Sequence, residues 1–272
     1  MNNVRTFKKL KKKAEKIVMI TAYDYPSGKY VEEAGADIIL VGDSLGMVVL
    51  GYPDTLKVTL EDIIHHCQAC RRGADDTFIV ADMPFMSYHL SIEQTKLNAS
   101  RLILEGNANA VKLEGGSLNR LAAIEAIVDC EIPVVAHLGL TPQSVYAFGG
   151  YRVQGKKAAE FEKILAQAKA IEAAGAFMLV LEGIPEELGK TISETLSIPT
   201  VGIGAGRYCD GQVLVYHDLL GMADFKPKFV KTYENLADKT INALAEFTRE
   251  VKSLSFPSEE YIYNAIKKNE DN

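Results

Sequence analysis

Ile38-Ile39-Leu40-Val41-Gly42-Asp43, Phe78-Ile79-Val80-Ala81-Asp82, Ala110-Val111-Lys112-Leu113-Glu114 and Phe177-Met178-Leu179-Val180-Leu181-Glu182 are four apolar runs that each end in a carboxylate. A fifth, Pro133-Val134-Val135-Ala136-His137, ends in histidine. Short β-branched runs without polar alternation predict strands buried on both faces, the mark of a parallel sheet. Parallel strands carry their active site at the carboxyl ends. Four acids gathered on one such rim repel one another, so a cation or a chemical task has to hold them there.

Outward from these runs, strand and helix patterns alternate from residue 17 to about 250 with no low-complexity linker. The patterns predict strands over 17–21, 37–42, 77–82, 110–114, 133–138, 177–182, 199–203 and 213–216. They predict helices over 24–34, 59–74, 91–106, 118–129, 156–174, 185–196 and 231–251. Gly35, Gly106 and Gly175 each stop a helix just before the next strand. Eight such units in 272 residues favour an α/β fold of the (β/α)8 TIM-barrel type over an open doubly wound sheet. Closure itself cannot be read from one sequence. The expected organisation is a single barrel domain over 1–272. It has a short N-terminal capping helix with Phe7 and Leu10 turned inward, the barrel over about 17–251, and a C-terminal tail over 252–272. Two connections, 43–58 and 139–155, are long, and both follow a strand that ends in a reactive residue. Gly149, Gly150 and Gly155 would let the second hinge as a lid.

Composition narrows the function class. Apolar residues at 47% are ample for a core, and no apolar run reaches the length of a membrane span. Four cysteines in a chain without a secretory signal point to free thiols, a reducing compartment and a cytoplasmic location. Residues 1–16 carry Arg5, Lys8, Lys9, Lys11, Lys12, Lys13 and Lys16 against Glu15, so the net charge of −6 divides into a basic cap and an acidic body. A solvated helix face accounts for the cap, and the acidic body argues against nucleic acid as a partner.

Residues two apart on a strand share a face, which groups Asp43 with Val41, Glu114 with Lys112, and Glu182 with Val180. A carboxylate beneath a helix would be desolvated and unpaired, so the barrel mouth is the favourable place. The alternative is that each acid caps the next helix or pairs with a nearby Lys or Arg, a cap being most credible for Asp82 before Met83-Pro84, and that Lys112 forms a salt bridge to Glu114 or a neighbouring acid. Carboxylate oxygens without a Cys/His cluster suit a hard cation such as Mg²⁺, which takes one or two carboxylates and leaves positions for substrate. A 2-oxoacid fits those positions through its carboxylate and keto oxygens, and Lys112 adds a positive charge beside it. His65-His66-Cys67-Gln68-Ala69-Cys70 looks like part of a zinc site, but it lies on an amphipathic helix with no second ligand pair. Gly202-Ile203-Gly204-Ala205-Gly206 has the wrong spacing for a dinucleotide loop, although such a turn near the seventh strand of a barrel can bind phosphate. Cys130 and Cys209 have no base beside them in sequence and read as structural.

Several ordered motifs resemble one family. Met19-Ile20-Thr21-Ala22-Tyr23-Asp24, Val41-Gly42-Asp43-Ser44-Leu45-Gly46-Met47 and Val111-Lys112-Leu113-Glu114-Gly115-Gly116 are similar to 3-methyl-2-oxobutanoate (ketopantoate) hydroxymethyltransferases. So are Ala136-His137-Leu138-Gly139-Leu140-Thr141-Pro142-Gln143, the stretch from Gly149 to Lys156, and the segment from Gly202 to Gly221. The resemblance covers about residues 17 to 250. It implies a TIM barrel that opens pantothenate synthesis by moving a hydroxymethyl group from 5,10-methylenetetrahydrofolate to 3-methyl-2-oxobutanoate, with Mg²⁺. By the same resemblance Asp43 and Asp82 are metal ligands, and Glu114 is a ligand acting at least partly through water. Ser44, Lys112, Asp43 and Asp82 contact the 2-oxoacid, His137 supports the pocket, and Glu182 is the catalytic base. Large homo-oligomers, commonly decamers, are implied as well. Two rivals remain. One is a Mg²⁺-dependent lyase or mutase of the isocitrate lyase and phosphoenolpyruvate mutase group, whose Lys-x-Cys-Gly-His loop this chain lacks. The other is a non-catalytic barrel that binds a metal or an anion.

Overall fold

A strand buried on both faces needs helices over one side and side chains from other strands against the other, and a closed barrel supplies both. The computed structural model describes residues 2–223 and 226–264, so the end of the expected tail, 265–272, lies outside the described residues. The chain begins with α1 (Val4–Lys12), β1 (Ile17–Thr21), α2 (Tyr25–Glu33), β2 (Ile38–Val41), α3 (Leu45–Val48), α4 (Leu60–Gly73) and β3 (Phe78–Asp82). It continues through α5 (Ile92–Leu104), β4 (Ala110–Glu114), α6 (Leu118–Asp129), β5 (Val134–Gly139), α7 (Val145–Phe148), α8 (Ala158–Ala173) and β6 (Met178–Glu182). α9 (Glu186–Thr195), β7 (Thr200–Ile203), β8 (Gly211–Leu214), α10 (Tyr216–Leu219) and α11 (Leu236–Lys252) follow. All eight strands are parallel and close in chain order, with β8 pairing to both β7 and β1. The fold is the expected (β/α)8 barrel.

Strand parity divides the core in two. Ile38, Leu40, Phe78, Val80, Met178 and Val180 fill the barrel interior. Ile39, Val41, Ile79, Leu113, Leu179 and Leu181 face the helices. The bottom of the interior is closed by α1, whose Phe7 ring stands 5.2 Å edge-on to Phe78 and 6.3 Å from Phe177. Leu10 packs beside it, partly buried. α1 starts at a reciprocal cap between Asn3 and Thr6. Its basic face is partly pinned to the barrel, with Lys11 donating to Asp210 and to the Ser193 carbonyl, both at 2.8 Å.

Two expectations need correction. The eighth strand is Gly211–Leu214 rather than 213–216. Gly211 lies so close to β1 that a Cβ there would stand 2.4 Å from the Ile17 carbonyl oxygen, so the glycine sets the register that starts at Ile17 and Gly211. Past Leu214 the chain turns away, and the Tyr216 N–H donates to Thr21 Oγ1 instead of to a strand. The last helix was expected over 231–251 as the final layer of the barrel. It begins only at Leu236, and none of its residues is buried. Ile241, Leu244 and Phe247 on it are 52% to 62% exposed.

Truncating the basal plug measures how much α1 contributes. Phe7→Ala is expected to cost about 3–5 kcal/mol, as for other fully buried aromatic side chains, and to lower Tm by roughly 10 °C. Thermal unfolding followed by circular dichroism reads this directly; an unchanged Tm would mean that α1 does not close the barrel.

Candidate active site

Inward parity brings Asp82, Lys112, Glu114, His137 and Glu182 from β3, β4, β5 and β6 to the carboxyl end of the barrel. All but Glu182 are at most 5% exposed. The strand register sets their neighbours, because Asp82 lies level with Lys112 and Glu114 level with His137. Lys112 Nζ is 2.7 Å from Asp82 Oδ1, a close ion pair without the alignment of a good hydrogen bond. His137 stands between two acids, with Nδ1 3.3 Å from Glu114 Oε1 and Nε2 3.2 Å from Glu182 Oε2. These contacts are likewise ionic rather than well-aligned hydrogen bonds.

Asp43 reaches the same place by another route. On β2 the inward residues are Ile38 and Leu40, so the shared face with Val41 and Ile39 would aim Asp43 outward. The strand ends at Val41 and the chain turns, the Leu45 N–H bonding the Gly42 carbonyl at 3.1 Å. Gly42 takes the inward position without a side chain, and a Cβ there would meet Asp82 Oδ2 at 3.2 Å. In that space the Asp43 N–H donates to Asp82 Oδ2 at 2.9 Å. Asp82 is therefore a member of this cluster and not a helix cap. Ser44 follows, bonded through Oγ to the Tyr23 hydroxyl at 2.8 Å.

One residue with no role expected from sequence ties the rim together. Gln143, buried in the long connection after β5, donates its amide to Asp43 Oδ2 at 2.8 Å and to the Met83 carbonyl at 3.0 Å. Its Oε1 accepts from the Tyr88 hydroxyl at 2.6 Å, and its backbone N–H donates to Glu114 Oε2 at 3.0 Å. The Glu114 N–H in turn donates to the Tyr88 oxygen at 3.2 Å. The sequence signals for Gln143 were its place in the long loop behind His137 and at the end of the Ala136–Gln143 stretch that resembles the family, neither of which assigns it a role.

Electrostatics follow from burial and pairing. Burial, and then the charges of Asp82 and Glu114, push the Asp43 carboxyl well above the usual range against the pull of Lys112 and Gln143. Burial likewise raises Asp82 despite Lys112. Burial also pushes Glu114 up, but its contacts with His137, Lys112 and the Gln143 N–H outweigh that and hold it low. For His137, burial and Lys112 lower the pKa, but Glu114 and Glu182 prevail and bring it to about 9, an imidazolium at neutral pH. Burial disfavours the Lys112 ammonium, yet Asp82, Glu114 and Asp43 keep it protonated.

With every acid ionised, four carboxylates against one ammonium and one imidazolium leave two negative charges in a buried site, which is the deficit one divalent cation fills. Among the described residues no three Asp, Glu, His or Cys side chains stand together as a complete metal cage. Lys112 sits on Asp82, while His137 and the Gln143 N–H engage Glu114. That pattern fits a cation bound by one or two carboxylates with water in the remaining positions, as Mg²⁺ prefers.

The decoys resolve as structural. Cys67 and Cys70 are buried in the layer between sheet and helices, with burial raising both thiols, while His65 is exposed. The glycine turn after β7 packs on side chains, since a Cβ on Gly204 would strike Phe229 and one on Gly206 would strike Glu186, an acid unsuited to a phosphate cradle. Over the mouth the two long connections meet, with the Tyr146 hydroxyl 3.3 Å from Asp54 and the Tyr151 hydroxyl 4.0 Å from Met47 Sδ.

Comparison with known proteins identifies the family. A sequence profile described as ketopantoate hydroxymethyltransferase matches residues 1–259. The chain is 54% identical over 272 residues to the 3-methyl-2-oxobutanoate hydroxymethyltransferase of Clostridium beijerinckii, covering 98% of each chain. It is 56% identical over 263 residues to that of Clostridium kluyveri, covering 96% of this chain and 94% of the relative. Among solved structures, phosphonopyruvate hydrolase in complex with oxalate and Mg²⁺ superposes with a TM-score of 0.62 at 12% identity, covering 96% of this chain and 93% of that one. A 2,3-dimethylmalate lyase of the PEP mutase/isocitrate lyase superfamily superposes at 0.60 and 16% identity, covering 95% and 91%. At such low identity these two share the barrel with this chain and nothing finer. The matches in sequence extend over nearly the whole length, and by them the chain belongs to the ketopantoate hydroxymethyltransferase family.

Proposed function

We propose that the protein catalyses hydroxymethyl transfer from 5,10-methylenetetrahydrofolate to 3-methyl-2-oxobutanoate, forming 2-dehydropantoate at the start of pantothenate synthesis. The observation that carries this reading is the acid rim in which Asp43, Asp82, Glu114 and Glu182 meet only two cationic side chains, Lys112 and His137, with Asp43, Lys112, Glu114 and His137 lying in the stretches that resemble the family. Asp43 and Asp82 would hold a Mg²⁺ ion, with Glu114 acting through water. When bound, that ion polarises the keto oxygen of the 2-oxoacid and offsets the charge that develops there.

The chain's own groups supply the rest. Lys112 and Ser44 bind and orient the oxoacid. C3 of the substrate is a weak carbon acid, and Glu182 takes its proton. Glu182 Oε2 faces His137, which leaves Oε1 without a protein partner among the described residues. His137, with Nε2 3.2 Å from Glu182 Oε2, positions Glu182 from below. The C3 carbanion equivalent then bonds to the donor's methylene carbon as one carbon–nitrogen bond breaks, and the oxygen of a water molecule replaces the second nitrogen on that carbon. The two nitrogens of tetrahydrofolate take up one proton from that water and the one Glu182 removed from C3, which returns the carboxylate to its starting state. The lyase and mutase reading rests on a shared fold alone and is not favoured.

A homo-oligomer, decameric by likeness to the family, belongs to the same reading, because α11 presents Ile241, Leu244 and Phe247 to solvent. A cytoplasmic location is supported by four free cysteines, and no described helix is long and apolar enough to cross a membrane.

The test is 2-dehydropantoate formation from the two substrates, with Mg²⁺ and again with EDTA. Product should require the metal, and Glu182→Gln should reduce kcat by about 10²–10⁴-fold, the usual contribution of a general base. Product formation by the Glu182→Gln variant near the wild-type rate would remove Glu182 from that role. Gln143→Ala is expected to raise the Mg²⁺ concentration for half-maximal activity by about 10–100-fold, since it deletes the support of Asp43. An unchanged metal titration would make Gln143 a packing residue only. Light scattering should show Leu244→Asp/Phe247→Asp as a smaller assembly than wild type; an identical mass would take α11 out of the interface.

A further inference from the structure

A cavity of about 490 Å³ opens beside Ser44, between the connection that follows β2 and the one that follows β8. Its walls include Met47, Val48, Tyr52 and Met222, with Asp218 and His217 as the polar groups among them. Asp218 has no ion pair or side-chain hydrogen bond among the described residues, and burial alone pushes its carboxyl up. Nδ1 of His217 is buried and also lacks a partner. The His217 ring lies 5.7 Å from that of Tyr23, whose hydroxyl bonds Ser44, and Ser44 itself lines the cavity next to Asp43 in sequence.

We propose that this cavity is the subsite for the one-carbon donor, holding its reduced pterin ring with Asp218 as the anchoring carboxylate. The inference rests on the reaction proposed above and deepens it. A pterin is a flat heterocycle whose exocyclic amine and adjacent ring N–H point along one edge, two donors that match one carboxylate bidentately. Methionine and tyrosine walls suit its faces, because thioethers adapt to aromatic edges. An apolar pocket with a few convergent polar groups is the general form of a cofactor site. The reacting methylene must come within bonding approach of C3, so the donor has to bind beside the oxoacid, and Ser44 lines both places. The other large cavity, about 370 Å³ and lined by Arg120, Lys163 and Gln167, meets these requirements less well. Of the two acids that line it, Glu114 is already engaged by His137 and the Gln143 N–H, and Glu160 shares the wall with the cations Arg120 and Lys163; Ser44 is not among its walls.

The experiment uses the intact chain. Calorimetry with tetrahydrofolate reads the subsite directly, and exchange of the C3 proton of 3-methyl-2-oxobutanoate into deuterium oxide reads proton abstraction without any donor. Asp218→Asn should weaken tetrahydrofolate binding and raise KM for methylenetetrahydrofolate by about 10–100-fold, the usual effect of losing a charged hydrogen-bond pair. Met47→Ala should weaken both in the same direction, while Arg120→Ala should leave them as in wild type. The exchange rate should stay at the wild-type value in all three. Tetrahydrofolate binding untouched by Asp218→Asn and Met47→Ala, or lost in Arg120→Ala, overturns the assignment. Absence of exchange and turnover in the wild type would instead overturn the proposed reaction, and calorimetry would still judge the cavity, with no binding of tetrahydrofolate by the wild type counting against it.

Discussion

Everything at the carboxyl end of this barrel depends on keeping four carboxylates together, three of them buried. The protein does it by interleaving two cations through strand register. Asp82 lies level with Lys112, Glu114 lies level with His137, and Glu182 lies level with Gly139, two residues past His137. Because neighbouring strands climb relative to one another, the charges ascend as a staircase from β3 to β6, acid against base at each step. A slip of one residue in any pairing would turn the inward set outward and place a charge beneath a helix. The barrel's shear and the electrostatics of its rim are thus one constraint. The plug of Phe7, Phe78 and Phe177 at the opposite end fills the same interior with side chains that carry no charge.

The staircase covers β3 to β6, and Asp43 lies outside it. It has no cation of its own and is held by the Gln143 amide and by its backbone bond to Asp82. Burial and the like charges of Asp82 and Glu114 push its carboxyl well above the usual range. A buried acid in that condition is costly unless something positive arrives, and a dication is the smallest addition that answers both its repulsion and the remaining imbalance. Gln143 matters for the same reason. Its side-chain amide and backbone N–H are engaged without adding a charge, where a lysine in its place would have offset the negative charge of the rim.

Much of this was legible in the chain because strands announce themselves by local composition. The runs ending in Asp82, Glu114, His137 and Glu182 have the right parity, and parity is a property of a few consecutive residues. What was not legible depends on contacts between segments distant in sequence. Asp43 has the outward parity of Val41 and enters the site only because the chain turns at Gly42 beside the Asp82 carboxylate. The start of β8 is set by how closely Gly211 approaches Ile17, which the apolar run Val213-Leu214-Val215-Tyr216 does not record. Amphipathic spacing predicted the last helix, but spacing cannot say what its apolar side will meet, and in α11 it meets no part of the barrel closely enough to be buried.

Strands and loops therefore divide the work of the site. The rim that stabilises charge is built on β3 to β6, where hydrogen bonding between strands fixes each side chain. The cavities that would select a ligand are built on the unequal connections, with Met47 and Tyr52 from one and His217 and Asp218 from another. A related barrel can keep the first and change the second, so shared folds at 12% to 16% identity carry no substrate information. In this chain the two parts meet at Ser44. Its hydroxyl is held by Tyr23, on the side of the acids, and its other flank opens to the cavity of Asp218. On the proposed reaction a residue in that position would meet both substrates, at the boundary between the rim built on strands and the walls built on loops.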